Sequence, residues 1–234
     1  MPTINASKYG YMISSAAGSG AFGTLRNGTS ATGTVINQST SNNQYTVGAN
    51  QSFGSKGDSA TLRRTWWAFN VSSYASGYTI SNLNLKFDPT TSTSTNFPIA
   101  VIKSTAQGNA DTNLSQSDWD SLDFETLYSD NSSTNYWPDS NSVSTIGLNS
   151  TAISAFSTSY LKVCIVWWYD YTGTGVLTNF NGQGVINYGY TPRIEFTAVA
   201  SGYANTVINV ADHSGINNVG TTDISAVINV GGEP

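Results

Sequence analysis

Apolar and polar positions alternate strictly through the middle of this chain. Thr79 to Phe87 (TISNLNLKF) turns Leu83, Leu85 and Phe87 to one side and Asn84 and Lys86 to the other, the period of two expected of a half-buried strand. Leu62 to Val71 (LRRTWWAFNV) sets Trp67, Phe69 and Val71 on one face, and Tyr160 to Tyr169 (YLKVCIVWWY) does the same with Leu161, Val163, Ile165, Trp167 and Tyr169. Tyr190 to Thr197 reads as the closing strand, with Ile194 and Phe196 inward and Pro192 at its start, where a strand tolerates proline. Residues 9–13, 33–36, 44–47 and 98–103 read as shorter strands, whereas 48–58 and 88–97 read as loops. Two helical turns interrupt the pattern, at Ser117 to Leu122 capped by Ser117, and at Asn149 to Phe156 capped by Asn149. Eight or so strands separated by turn-rich loops predict an all-β fold of low helical content. The economical arrangement is a two-sheet sandwich or jelly roll over residues 1–200.

Residues 201–234 follow a different rule. Val207-Ile208-Asn209-Val210, Ile216-Asn217-Asn218-Val219 and Val227-Ile228-Asn229-Val230 repeat one element, with closing valines 9 and then 11 residues apart. Units this small cannot bury a core alone and must stack on neighbours or on another chain. Ile208, Val210, Ile216, Val219, Ile224, Val227, Ile228 and Val230 are therefore the candidate oligomerisation or attachment residues. Thr222 can cap a turn that aligns Ile224, Val227 and Ile228, while Gly215 and Gly220 oppose one long helix. The expected tail alternates short turns with short extended pieces.

Composition narrows the function. Charged residues make up 10% of the 234, well under the usual quarter or so, yet 12% are aromatic, which argues against disorder. The net charge of −5 disfavours nucleic acid and anionic membrane as partners. No apolar run approaches the roughly 20 residues of a spanning helix. The start, MPTINASKYG, lacks the basic and apolar regions of a Sec signal, and the single Cys164 permits no intramolecular disulfide. A chain made in a cytoplasm and folded without covalent staples is the expectation.

The candidate chemistry is sparse. The lone His213 cannot build a triad or a histidine-rich zinc site. Cys164, inside LKVCIVWW, reads as a buried structural thiol. Residues 105–142 form a long polar excursion that holds seven of the 14 carboxylates; Asp118, Asp120, Asp123, Glu125 and Asp130 are weighed as a solvated loop, a calcium site or a glycosidase pair. Solvation is the favoured reading, because neither EF-hand spacing nor a second-site partner is present. In Trp66-Trp67 and Trp167-Trp168, alternation is expected to bury one ring and turn the other out, for packing or for stacking on sugar. Tyr136 and Trp137, in the long loop, are the candidate glycan-facing aromatics, and Arg63-Arg64 reads as a solvated strand-edge pair or a basic grip. No cofactor motif occurs.

Arg63-Arg64-Thr65-Trp66-Trp67-Ala68-Phe69-Asn70-Val71-Ser72, followed by Ile80-Ser81-Asn82-Leu83-Asn84-Leu85 and the ending Gly189-Tyr190-Thr191-Pro192-Arg193-Ile194-Glu195-Phe196, resembles the DNRLRE and carbohydrate-module group of jelly rolls over residues 40–198, with Asn70 where aspartate is usual. The Ile-Asn-x-Val units, with Asp223-Ile224-Ser225-Ala226-Val227 between them, resemble the C-terminal repeats of tailed-phage virion proteins, which read "ADISKVNGV" in tandem. That second resemblance implies a non-enzymatic structural protein of a phage particle, in a tail fibre, appendage or head decoration. It implies a homotrimer contacting other virion proteins, made in the host cytoplasm and released by lysis. The alternative expectation is a carbohydrate-binding module for cell-surface glycan.

Overall fold

The computed structural model describes residues 1–29, 31–37, 45–52, 58–92, 98–108, 110–130, 143–157, 159–174, 180–186 and 190–201. The strands among them are β1 (Thr3–Asn5), β2 (Lys8–Ala17), β3 (Val35–Asn37), β4 (Tyr45–Ser52), β5 (Ser59–Asn70), β6 (Tyr78–Phe87), β7 (Pro89–Ser92), β8 (Ile99–Ser104), β9 (Leu122–Leu127), β10 (Ser144–Gly147), β11 (Tyr160–Trp167), β12 (Phe180–Ile186) and β13 (Arg193–Ala200). Short helices are α1 (Ala21–Arg26), α2 (Ser150–Ser154) and α3 (Trp168–Thr172). The chain is an all-β sandwich.

The smaller sheet has the order β1-β13-β6-β10. The larger is built around β5. One edge of β5 pairs with β2, which in turn pairs with β3; the other edge is shared by β4 along residues 59–63 and by β11 along 65–70. Two arms diverge from that edge, β4-β12-β7 and β11-β8-β9. Arg64 sits at the fork, between the last partner of β4 and the first of β11. Two strands cross between the sheets: β1 runs through Ala6 and Ser7 into β2, and β6 runs through Asp88 into β7, the kind of corner that joins packed sheets. On the opposite side an isolated bridge, Ser129 to Leu148, ties the end of β9 to that of β10. Asn149 fastens this seam: its amide nitrogen donates to the carbonyls of Leu127 (2.9 Å) and Ser129 (3.1 Å), and its side-chain oxygen caps α2 by accepting from the Thr151 and Ala152 N–H groups.

Between the sheets lie Leu83, Leu85, Phe87, Ile194 and Phe196, with Trp67, Phe69, Leu161, Val163 and Ile165 opposite. The Trp67 and Phe87 rings meet at 5.6 Å across the interface. The outer face of the small sheet is polar, carrying Lys86, Glu195 and Arg193 in a row of ion pairs.

The outer face of the large sheet departs from expectation. Trp66 is as buried as Trp67, because α1 and the segment 105–121 cover it as a third layer. The polar excursion at 105–142 is thus in part a packing layer, which buries Ala106, Leu114 and Trp119. Gly10, opposite Trp66, must be glycine: a Cβ there would lie 2.4 Å from the Ile36 carbonyl oxygen and 2.8 Å from the Leu114 side chain. Other boundaries move too. The expected loop at 48–58 is strand as far as Ser52, and that at 88–97 begins with β7. The turn at Gln116–Asp120 is capped by Ser115, not Ser117, because the Asp118 carboxylate returns to the Ser115 N–H at 2.8 Å. β11 stops at Trp167, so Tyr169 leaves the strand face for α3; the Trp168 N–H donates to the Pro98 carbonyl, and Gly173 in the left-handed region (φ 72°) ends the helix.

Candidate functional site

The candidate tail residues Ile208, Val210, Ile216, Val219, Ile224, Val227, Ile228 and Val230, the glycan-facing Tyr136 and Trp137, and His213 all lie outside the described residues. What the structure does bring together is a pair of polar sites that flank β11.

The first is a buried ionic node at the fork. Arg64 and Asp170 side chains are each 1% exposed. The guanidinium donates to both carboxylate oxygens of Asp170, at 2.8 and 2.9 Å, and to the Trp119 carbonyl at 3.0 Å, and lies 4.0 Å from the centroid of the Trp119 ring. Arg26 at the end of α1 reaches the same place, donating to the backbone carbonyls of Asp170 (2.7 Å) and Tyr171 (3.2 Å) while covering Phe124. The Trp119 indole donates to the Leu25 carbonyl at 2.8 Å. One guanidinium therefore joins β5, α1, α3 and the 116–120 turn. Arg64 is neither a solvated edge residue nor a basic grip. Its strand neighbour Arg63 is half-buried, and burial lowers its pKa, opposed by Tyr11. Cys164, beside the node and fully buried, has its thiol pushed well above the ordinary value by burial, with Arg64 pulling the other way. A thiol held protonated is a poor nucleophile.

The second is an open cleft of about 900 Å³ where β8 and β11 part. Lys103, Ser104 and Thr105 at the end of β8, Thr126 and Tyr128 at β9, Thr151 and Ser154 on α2, and Tyr160 and Lys162 at the start of β11 line it. Its geometry follows from the pairing. β11 and β8 are in register from Trp167 opposite Ile99 to Val163 opposite Lys103, and their pairing ends there. The Lys162 ammonium donates to the carbonyls of Ala106, Gly108 and Ala110, so its three hydrogens are spent on holding that loop. Burial lowers the Lys162 pKa, and Asp118 and Asp111 oppose the shift. Lys103 is balanced by Asp123 at 3.4 Å. Burial pushes the Asp123 carboxyl up, but hydrogen bonds from Thr126, the Glu125 N–H and Lys103 outweigh it and leave the pKa lowered. Tyr128 is almost fully buried; desolvation, helped by Asp123, raises its phenol to about 12.

Two members of the acidic stretch are local hydrogen-bond acceptors. Asp118 takes the N–H groups of Ser115 and Gln107, Asp123 behaves as above, and Asp120, Glu125 and Asp130 are exposed. Among the described residues no three of His, Cys, Asp or Glu come together in a way that could hold a metal ion. Trp167 is buried and stacked on Phe180 at 4.5 Å, and Trp168 is partly buried. Sequence reasoning missed the cleft because its residues run from 103 to 162 and no motif links them; the one available signal was Lys162, a charge set inside the most apolar strand. No protein-family model matches the sequence, and no curated protein matches it.

Proposed function

We propose that the chain is a non-enzymatic structural component of a tailed-phage particle, a jelly-roll-like sandwich that oligomerises or attaches through its C-terminal repeats. The observation that carries this reading is that the described residues of the sandwich leave almost no apolar surface for the tail to cover. Both faces of β5 and β11 are buried, the outer face of the small sheet carries ion pairs, and the exposed large hydrophobics among the described residues are Met1, Tyr78, Val143 and Val199. Two of these, Tyr78 and Val199, sit where β13 delivers the chain to the tail, beside the hydrogen bond from the Ser201 N–H to the Gly77 carbonyl. Nine Val and Ile side chains follow in the tail, and burying each is worth roughly 1.5–3 kcal/mol. Cyclic association lets each chain shield the others; the phage resemblance makes the assembly a trimer. Localisation to the virion, with other virion proteins as partners, belongs to the same proposal.

Light scattering of the full chain at tens of micromolar tests it, together with the variant Val210→Asn, Val219→Asn, Val230→Asn. The wild type is expected to contain more than one chain and the triple variant to dissociate with its sandwich folded. A monomeric wild type refutes assembly through the tail. Mass spectrometry of purified particles tests the location, and absence of the chain from them refutes the virion assignment.

A further inference from the structure

We propose that the cleft between β8, β11 and α2 is a binding site for a neutral glycan. Its volume, about 900 Å³, falls within the roughly 300–1,000 Å³ of ligand pockets. The cationic groups on its wall already have partners. Lys162 has all three donors on backbone carbonyls, and Lys103 faces Asp123. An anionic ligand would find no spare cation, and a cationic one would meet two ammonium groups. What remains is hydroxyl chemistry. Thr105 and Thr126 turn their hydrogens away, to the Ser121 carbonyl at 3.3 Å and to Asp123 at 2.8 Å, which leaves oxygen lone pairs as acceptors. Tyr128, its pKa raised to about 12, keeps its proton at any physiological pH and remains a donor. Sugar hydroxyls both donate and accept, so a wall offering acceptors beside a protonated phenol suits them.

The aromatic component is held in place before any ligand arrives. The Tyr160 hydroxyl donates to Asp111 at 3.4 Å, and the Lys162 ammonium stands 5.7 Å from the centroid of its ring. A ring so fixed loses little entropy on binding, and its apolar face suits the C–H face of a pyranose. Lys162 thus acts as a positioning residue: it holds the carbonyls of Ala106, Gly108 and Ala110 and the orientation of Tyr160 without offering a free donor. The proposal does not rest on Tyr136 and Trp137, and it stands whether or not the chain belongs to a virion.

Saturation-transfer NMR of the full chain with neutral trisaccharides built on glucose, galactose, mannose and N-acetylglucosamine, each beside a uronate or sialylated counterpart, tests the proposal. Thr151→Trp is the diagnostic variant, because Thr151 is exposed on α2 and the indole would occupy the cleft without disturbing the core. At least one neutral trisaccharide is expected to bind, and Thr151→Trp to weaken it tenfold or more at an unchanged melting temperature. Tyr160→Ala should weaken it as well, as a second variant of the opposite wall. The proposal is overturned if no neutral trisaccharide binds at millimolar concentration, if only the acidic counterparts bind, or if binding survives Thr151→Trp, which would place the ligand elsewhere.

Discussion

Replacing Asp170 by Leu should destabilise the sandwich more than any surface change, and replacing Arg64 as well should restore much of the loss. Both side chains are buried, 1% exposed each. Alone, Asp170→Leu leaves a guanidinium in the third layer with two donors unpaired. Breaking a buried pair in this way costs about 3–5 kcal/mol, against a total stability of about 5–15 kcal/mol. For a domain of this size each kcal/mol lowers the melting temperature by roughly 2–4 °C, so the expected drop is about 6–20 °C. In Arg64→Met/Asp170→Leu no charge is stranded. The remaining losses are at the Trp119 and Arg26 carbonyls, which accept from Arg64 at 3.0 and 3.4 Å; an unsatisfied buried acceptor costs about 1–3 kcal/mol. The double variant is therefore expected to be more stable than either single one. Urea denaturation of the wild type, both single variants and the double gives the coupling energy directly. If the two losses add to within about 0.5 kcal/mol, the pair is not coupled and the node does not join the layers.

Two more outcomes follow from the seam and from the carboxylates. Asn149→Ala removes a helix cap, worth about 1 kcal/mol, and two hydrogen bonds to the carbonyls of Leu127 and Ser129, each worth about 0.5–1.5 kcal/mol; a loss of roughly 2–4 kcal/mol is expected. Asn149→Asp keeps the cap but points an acceptor at those carbonyls, so wild-type stability in Asn149→Asp would show that the seam contributes nothing. Acid should weaken the fold through Glu195, whose pKa is lowered from 4.5 by hydrogen bonds from Lys86 and Arg193, and through Asp123, lowered from 3.8. Groups depressed on folding contribute stability that is complete above the unfolded value and lost as pH falls through the folded one. The urea midpoint should thus hold above pH 4.5 and fall below 3.8, with a shallower fall in Glu195→Gln; equal acid slopes in the two proteins would remove Glu195 from the account.

The readable part of the fold was the part with one wet face. β6 and β13 alternate cleanly because the small sheet is solvated outside, so Leu83, Leu85, Phe87, Ile194 and Phe196 declare their side in the sequence. Asn149 was legible for a related reason: capping is local, and an Asn before STAIS needs no distant partner. Alternation misled at Trp66 because it presumes that the second face meets water. The run TWWAF and the run VCIVW are continuous, which marks strands covered on both faces. What covers them is a segment so polar that only Ala106, Leu114 and Trp119 betray its packing role. Of the weak strands, β12 went unread and β4 was read only over residues 44–47, for the opposite reason. β12 (FNGQGVI) and β4 (YTVGANQS) carry few apolar residues and are defined by their pairing with each other, which no local pattern encodes.

The same distinction separates the two polar sites. The buried node could be half suspected, since Arg64 interrupts a strand at the point where two partners must diverge. The cleft could not, because its chemistry depends on a lysine that spends every donor on its own loop, and only the register of β11 against β8 reveals that those donors are spent. Had Lys162 been free, the same lining residues would describe an anion site. A neutral ligand is thus favoured by the carbonyls of Ala106, Gly108 and Ala110, which take up those donors. Lys162→Met tests that dependence: amide exchange should quicken across this loop, and trisaccharide binding should weaken without becoming selective for acids. If the variant leaves exchange in the loop unchanged, Lys162 does not hold it, and its ammonium must be counted again as a charge in the cleft.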